Sequence, residues 1–79
     1  MRLDKFLKVS RLIKRRTIAN EACDAGRVLV NGVVAKASLK VKPGDVLEIQ
    51  FGTRLVKAEV LKLEESNKKE EAKDMYKYL

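Results

Sequence analysis

The sequence predicts an α+β domain, two N-terminal helices packed on a small, mostly antiparallel sheet, with a charged helical tail behind it. Three observations carry this prediction. Apolar residues recur at helical spacing over residues 3–25, Asn31-Gly32 separates two apolar triplets, and residues 46–51 alternate between apolar and polar. With 79 residues, one short domain is the upper limit.

In helix one, Leu3, Phe6, Leu7, Ser10 and Ile13 follow the i, i+3, i+4, i+7 pattern of one inward face. Asp4, Lys5, Lys8 and Arg11 then fall on the opposite arc, and Lys14-Arg15-Arg16 forms a basic turn. Thr17 is the expected N-cap of helix two. Its inner face is read as Ile18, Ala19, Ala22, Cys23 and Ala25, with Asn20, Glu21 and Asp24 outside. Gly26 is placed to end the helix, where a positive φ is cheap. The basic turn at 14–16 thereby lies at the positive end of helix two, where anions are favoured.

Val28-Leu29-Val30 and Val33-Val34-Ala35 flank Asn31-Gly32, the preferred pair for a tight hairpin turn. A short extended segment at 37–41 leads to a turn at Lys42-Pro43-Gly44-Asp45. In 46–51, Leu47, Ile49 and Phe51 are expected inward and Glu48 and Gln50 outward. Gly52-Thr53 turns the chain into a strand over 55–63. Its apolar pattern shifts phase between Val60 and Leu61, which points to a bulge or twist. Residues 64–79 form the tail. There Asn67 with Glu70 resembles a capping box, and Glu65–Lys69 and Glu70–Lys73 pair at helical spacing.

Charge is unevenly spread. Residues 1–42 hold 11 basic and 3 acidic side chains, net +8, whereas residues 43–79 hold 7 and 8, net −1. Concentrated positive charge on one element is the footprint of a polyanion-binding surface. Arg can grip phosphate with two parallel N–H groups, and Lys acts as a point charge. Only four aromatic residues are present, and Phe6 and Phe51 are assigned to the core, so base stacking has no platform. Folded or double-stranded RNA, read through its phosphates and shape, fits best. No recognition helix with base-reading polar residues points to DNA.

Enzyme readings find little support. The chain has no His and one Cys, which leaves no zinc site and no Cys–His or Ser–His pair. Cys23 reads as a small buried hydrophobe. A lone Cys makes no internal disulfide, and no run reaches the roughly 20 apolar residues of a bilayer span. The expected location is cytoplasmic, with no membrane partner, no cofactor and no metal.

The run Arg2-Leu3-Asp4-Lys5-Phe6-Leu7, then Arg15-Arg16-Thr17 with Ala19, Gly26-Arg27-Val28-Leu29-Val30-Asn31-Gly32, and Ser38, Val41, Pro43-Gly44-Asp45 and Leu47-Glu48-Ile49 carry a family resemblance. Together they resemble the RNA-binding domain first seen in small-subunit ribosomal protein S-four, the alpha-L RNA-binding motif. The resemblance is strongest over 1–51, within a domain taken as 1–63, with 64–79 as tail. It implies two helices on a small sheet, with the helices and hairpin forming the RNA face. The chain is similar to the stand-alone bacterial members of this family, the heat-shock protein fifteen type and a type that acts in ribosome-associated quality control, and its opening MRLDKFLKVSRLIKRRT and KKEEAKDMY tail resemble the latter.

That resemblance implies a non-catalytic factor of ribosome-associated quality control. It would bind rRNA and peptidyl-tRNA on obstructed large ribosomal subunits. It would stabilise the P-site tRNA while an RqcH-like protein directs C-terminal alanine tailing. The alternative is an RNA-targeting accessory subunit of a separate rRNA or tRNA modification enzyme. The free protein is expected to be a monomer. Carried over by position, Arg2, Lys5, Arg15 and Arg16 are phosphate contacts. Lys8, Arg11 and Lys14 join them on charge and geometry, and Arg27, Lys36 and Lys40 flank the hairpin. Asp4 is left open between orienting a neighbouring Arg, meeting a protein partner and capping helix one.

Overall fold

The fold is seen in a computed structural model, which describes residues 1–64 and 72–79. Two helices, α1 (Leu3–Val9) and α2 (Arg16–Asp24), precede β1 (Val28–Val30), β2 (Val33–Val34), β3 (Val46–Phe51), β4 (Arg54–Val60) and β5 (Tyr76–Tyr78). The strands form one sheet in the order β2-β1-β3-β4-β5, with every neighbouring pair antiparallel. The predicted class and its two-helix opening are what the chain adopts.

The core lies between the helices and one face of the sheet. Leu3, Phe6 and Leu7 of α1 and Ala19 and Cys23 of α2 meet Val28, Val30, Leu47, Ile49, Val60 and Met75. Strand register explains the selection. Val30 opposes Leu47, Leu47 opposes Ala58, and Val28 opposes Ile49, so these side chains share one face. The other face carries Glu48 against Lys57, an ion pair at 3.5 Å.

The turns follow their residues. Asn31 and Gly32 both have positive φ, 53° and 83°, as the right-handed twist of a two-residue hairpin demands. After α2, the Gly26 amide donates to the Cys23 carbonyl and the Arg27 amide to the Ala22 carbonyl. This is a Schellman end, with Gly26 at φ 74° in its left-handed position. At the start of α1, Leu3 N–H donates to the Leu39 carbonyl at 2.7 Å and Asp4 N–H to the Ala37 carbonyl at 3.2 Å. Otherwise unsatisfied first-turn amides thus tie the N-terminus to the 37–41 segment, where Arg2 bridges Lys40.

Several readings need correction. Thr17 is not the N-cap of α2. The helix begins at Arg16, and extended Arg15 caps it without a side-chain bond. Ile18 and Ala25 are exposed while Asn20 is half-buried, because the face of α2 toward α1 is centred on Ala19 and Cys23. Asp4 is buried, not outward. Phe51 is 41% exposed and is not a core residue. It opposes Arg54 at the hairpin end of β3, beyond the buried Leu47 and Ile49.

The phase shift after Val60 has a structural cause. The amides of Leu61 and Lys62 both donate to the Met75 carbonyl, two residues against one, as in a β-bulge. The tail is not helical throughout. Residues 76–78 form β5, with Tyr78 opposite Ala58 and Tyr76 opposite Val60. These residues pair along the otherwise open side of β4. The capping box and Glu–Lys pairs proposed for the tail involve residues outside the described ones.

Cys23 is buried, and that burial, followed by Asp4 and Asp24, pushes its thiol up to about 11. The folded protein is therefore expected to resist iodoacetamide at pH 7.5, and denatured protein to be alkylated in full. Mass spectrometry of the two samples checks this, and rapid labelling of the native chain would contradict the buried placement.

Candidate nucleic-acid interface

Two of the cationic side chains, Arg2 and Arg16, are organised around one buried acid. Asp4 sits in the first turn of α1, and α2 brings Arg16 and Asn20 against it. Arg2 places Nε 3.3 Å from Asp4 Oδ1 and an Nη 3.3 Å from Oδ2. Arg16 mirrors this, with Nε 3.4 Å from Oδ2 and an Nη 3.4 Å from Oδ1. Asn20 Nδ2 donates to Oδ2 at 3.3 Å, and the Lys5 amide donates to Oδ1 at 2.8 Å. One carboxylate thus orients two guanidinium forks and also takes a helix amide.

The electrostatics follow from exposure. The Asp4 side chain is 3% exposed, whereas Arg2 and Arg16 remain 47% and 48% exposed. Burial alone would raise the Asp4 carboxyl. Hydrogen bonds from Arg16, Asn20 and the Lys5 amide outweigh it and hold the group below its ordinary value. The trio carries a net charge of +1. Each fork donates one Nη hydrogen bond to Asp4, with its Nε at ion-pair distance, and has five N–H groups to offer. The arrangement can grip an oxyanion with donors already fixed in direction.

From this cluster a path of shared grooves runs across the surface. Asn20 lines one groove with Asp4 and Arg16, and a second with Arg2 and Lys36. Lys36 also lines a third, with Lys40 and Lys42. Arg16, Arg2, Lys36 and Lys40, separate in sequence, therefore border neighbouring depressions that share lining residues, with Glu21 and Asp24 on two of them. Lys42, which sequence reasoning used only as a turn residue, belongs to it, as does Asn20. No periodicity signal marks Lys42. For Asn20, the spacing of 16 residues from Asp4 offers no local clue.

The remaining candidates fall elsewhere. Lys8, Arg11 and Lys14 line a concavity of about 480 Å³ at the C-terminal end of α1. Lys5 is half-buried on α1 and Arg15 is exposed at the α2 N-cap. Arg27 lies past the other end of α2, in a groove with Ile18 and Phe51. Among the described residues no group of His, Cys, Asp and Glu could hold a metal ion, and no helix is long and apolar enough to cross a membrane.

Arg11 has φ 65°, a left-handed conformation usually left to Gly or Asn. Arg11→Gly is expected to leave unfolding free energy within about 1 kcal/mol, since relief of backbone strain offsets the looser unfolded chain. RNA affinity should nonetheless fall. Paired melts and RNA titrations check this, and unchanged affinity would reduce Arg11 to a chain-reversal residue.

The model of the S4 domain matches residues 1–47, which contain α1, α2, the hairpin and the start of β3. The chain belongs to the S4 domain family. Over all 79 residues it is 61% identical to the RQC P-site tRNA stabilizing factor of Bacillus subtilis, covering 92% of that protein. It is 58% identical, again over its full length, to the protein of the same name from Listeria innocua, covering 86% of it. Among solved structures it is similar to Heat Shock Protein 15 of Vibrio cholerae, described as trimeric. The TM-score is 0.92 at 29% identity, with 100% of this chain and 81% of that one covered. The Arg2–Asp4–Arg16 cluster and the path to Lys40 lie wholly within the matched S4 domain.

Proposed function

We propose that this protein is a non-catalytic, cytoplasmic RNA-binding factor of ribosome-associated quality control. It binds rRNA and peptidyl-tRNA on obstructed large ribosomal subunits. There it stabilises the P-site tRNA while an RqcH-like protein extends the stalled chain with alanine. The observation that carries the reading is the paired fork of Arg2 and Arg16 on buried Asp4, opening onto the Lys36–Lys40 path. Relatives matched along the whole chain and named for P-site tRNA stabilisation support it.

The mechanism is one of clamping. The two forks displace water and condensed counterions from the phosphates of a folded RNA without costly reordering of the side chains. Contacts to rRNA and to tRNA on one rigid particle then reinforce each other through effective concentration.

Arg16→Glu tests this. The variant keeps its place at the exposed end of α2, so it should fold, but its charge now opposes phosphate and Asp4. Co-sedimentation with large subunits from cells with stalled translation is expected to vanish. Wild-type binding to purified subunits should weaken with salt at a log–log slope of roughly −3 to −6, as four to seven phosphate contacts predict. A variant that sediments at wild-type levels would remove Arg16 from the interface. Recovery of one stoichiometric modification enzyme in place of ribosomal particles would favour the accessory-subunit reading.

A further inference from the structure

We propose that the groove between the β1–β2 hairpin and residues 36–42 receives one unpaired nucleotide of an RNA strand, a site that goes beyond phosphate clamping and rests on the RNA-binding reading above. The groove measures about 560 Å³, within the range of small-molecule sites. Its floor includes Val33 and Leu39, which are 68% and 41% exposed. Three lysines, Lys36, Lys40 and Lys42, stand along it.

The one acid among its lining residues, Asp45, offsets one of these charges and leaves the groove net positive. Asp45 is buried, and its carboxylate is engaged inward. Oδ1 accepts from Asn31 Nδ2 at 3.1 Å, and Oδ2 accepts from the Lys42 amide at 3.0 Å. No ion pair involves Lys36, Lys40 or Lys42 among the described residues. The groove therefore combines exposed aliphatic surface with a net positive charge.

Both walls are pinned. Asn31 Oδ1 accepts from the Val46 amide at 3.0 Å, joining the hairpin to β3. On the other side, the Leu39 carbonyl accepts from Leu3 N–H, and the Val41 amide donates to the Met1 carbonyl. The cavity is preformed, so filling it requires little ordering.

These features select the ligand. A fully paired stem presents phosphates but keeps its base faces stacked, and leaves an apolar floor uncovered. A nucleotide turned out of its stem offers an apolar base face for aliphatic contact, without stacking, at Val33 and Leu39, and flanking phosphates for the lysines. Lys36 also borders the groove containing Arg2, so a strand held at Arg2 and Arg16 leads into the site.

The test compares three short RNA stems against the full chain: fully paired, with one unpaired uridine, and with an abasic residue in its place. The uridine stem is expected to bind about tenfold more tightly than the others, the scale of one base leaving water for an apolar contact. Val33→Thr with Leu39→Ser should abolish that preference while leaving affinity for the paired stem unchanged. Independently, 4-thiouridine at the unpaired position should crosslink to a peptide spanning residues 33–40 of the wild-type chain. Equal affinity for the three stems, or a crosslink confined to other segments, overturns the inference while the RNA-binding reading stands. If no stem binds, that reading falls as well. Displacement of the stems by an acidic, leucine-bearing peptide, with no effect of the unpaired base, would reassign the groove to a protein partner.

Discussion

Asp4→Asn makes the protein more positive and is nevertheless expected to bind RNA more weakly, by about tenfold, the scale of one lost charge-assisted hydrogen bond. The buried carboxylate accepts an Nη hydrogen bond from each guanidinium and lies at ion-pair distance from both Nε atoms. An amide of the same size turns donors toward donors, so the two forks separate and lose their shared direction. A surface that bound by charge count alone would instead tighten. Affinity that rises in Asp4→Asn would therefore refute the oriented-fork mechanism.

The same substitution should lower stability by about 1–2 kcal/mol, a figure kept small because both arginines are half exposed and screened. Its pH dependence has a definite sign. The Asp4 carboxyl is held below its ordinary value. The stability it contributes is therefore fully present above the unfolded carboxyl value of about 4, and is lost as pH falls through the lower folded value. The gap between wild type and Asp4→Asn should narrow as acid is added below about pH 4. Urea melts at pH 7, 4 and 3 measure it.

Phe6→Ala is expected to have the largest effect on folding. Phe6 is fully buried between the helices and the sheet. Its truncation should destabilise by about 3–5 kcal/mol. Against a total of roughly 4–12 kcal/mol for a chain of this length, much of the protein would unfold at 37 °C. A fall in melting temperature of about 15–30 °C is expected where the variant still folds. Phe51→Ala should change stability by less than about 1 kcal/mol, because that ring stays partly in water. A thermal melt of both variants decides the matter, and equal losses would contradict the position of Phe51 at the hairpin end.

The contrast between the two phenylalanines marks how far sequence reasoning reaches. Alternation placed Leu47, Ile49 and Phe51 on one face of β3, and they do share that phase. It does not say how much of the strand the helices cover, and the cover stops before Phe51. Helical spacing likewise put Asp4 on the outer arc of α1. On an isolated helix it would be there. Arg16 and Asn20 arrive from α2, 12 and 16 residues further on, and turn that arc into a buried contact.

Local signals proved sufficient at three places where the backbone itself is the constraint, though not at the N-cap of α2 or at Arg11. Asn31-Gly32 dictates a positive-φ turn, Gly26 ends α2, and the phase change after Val60 marks a two-against-one pairing, because torsion preferences and side-chain period travel with the neighbouring residues. The concentration of cations in the first half was equally legible, since charge is additive along a chain. Packing alone settled which of those cations share a groove, that Lys42 and Asn20 join them, and that residues 76–78 pair with β4. Each of these contacts links segments distant in the chain, and its free energy comes from burial and pairing that no short window of residues contains.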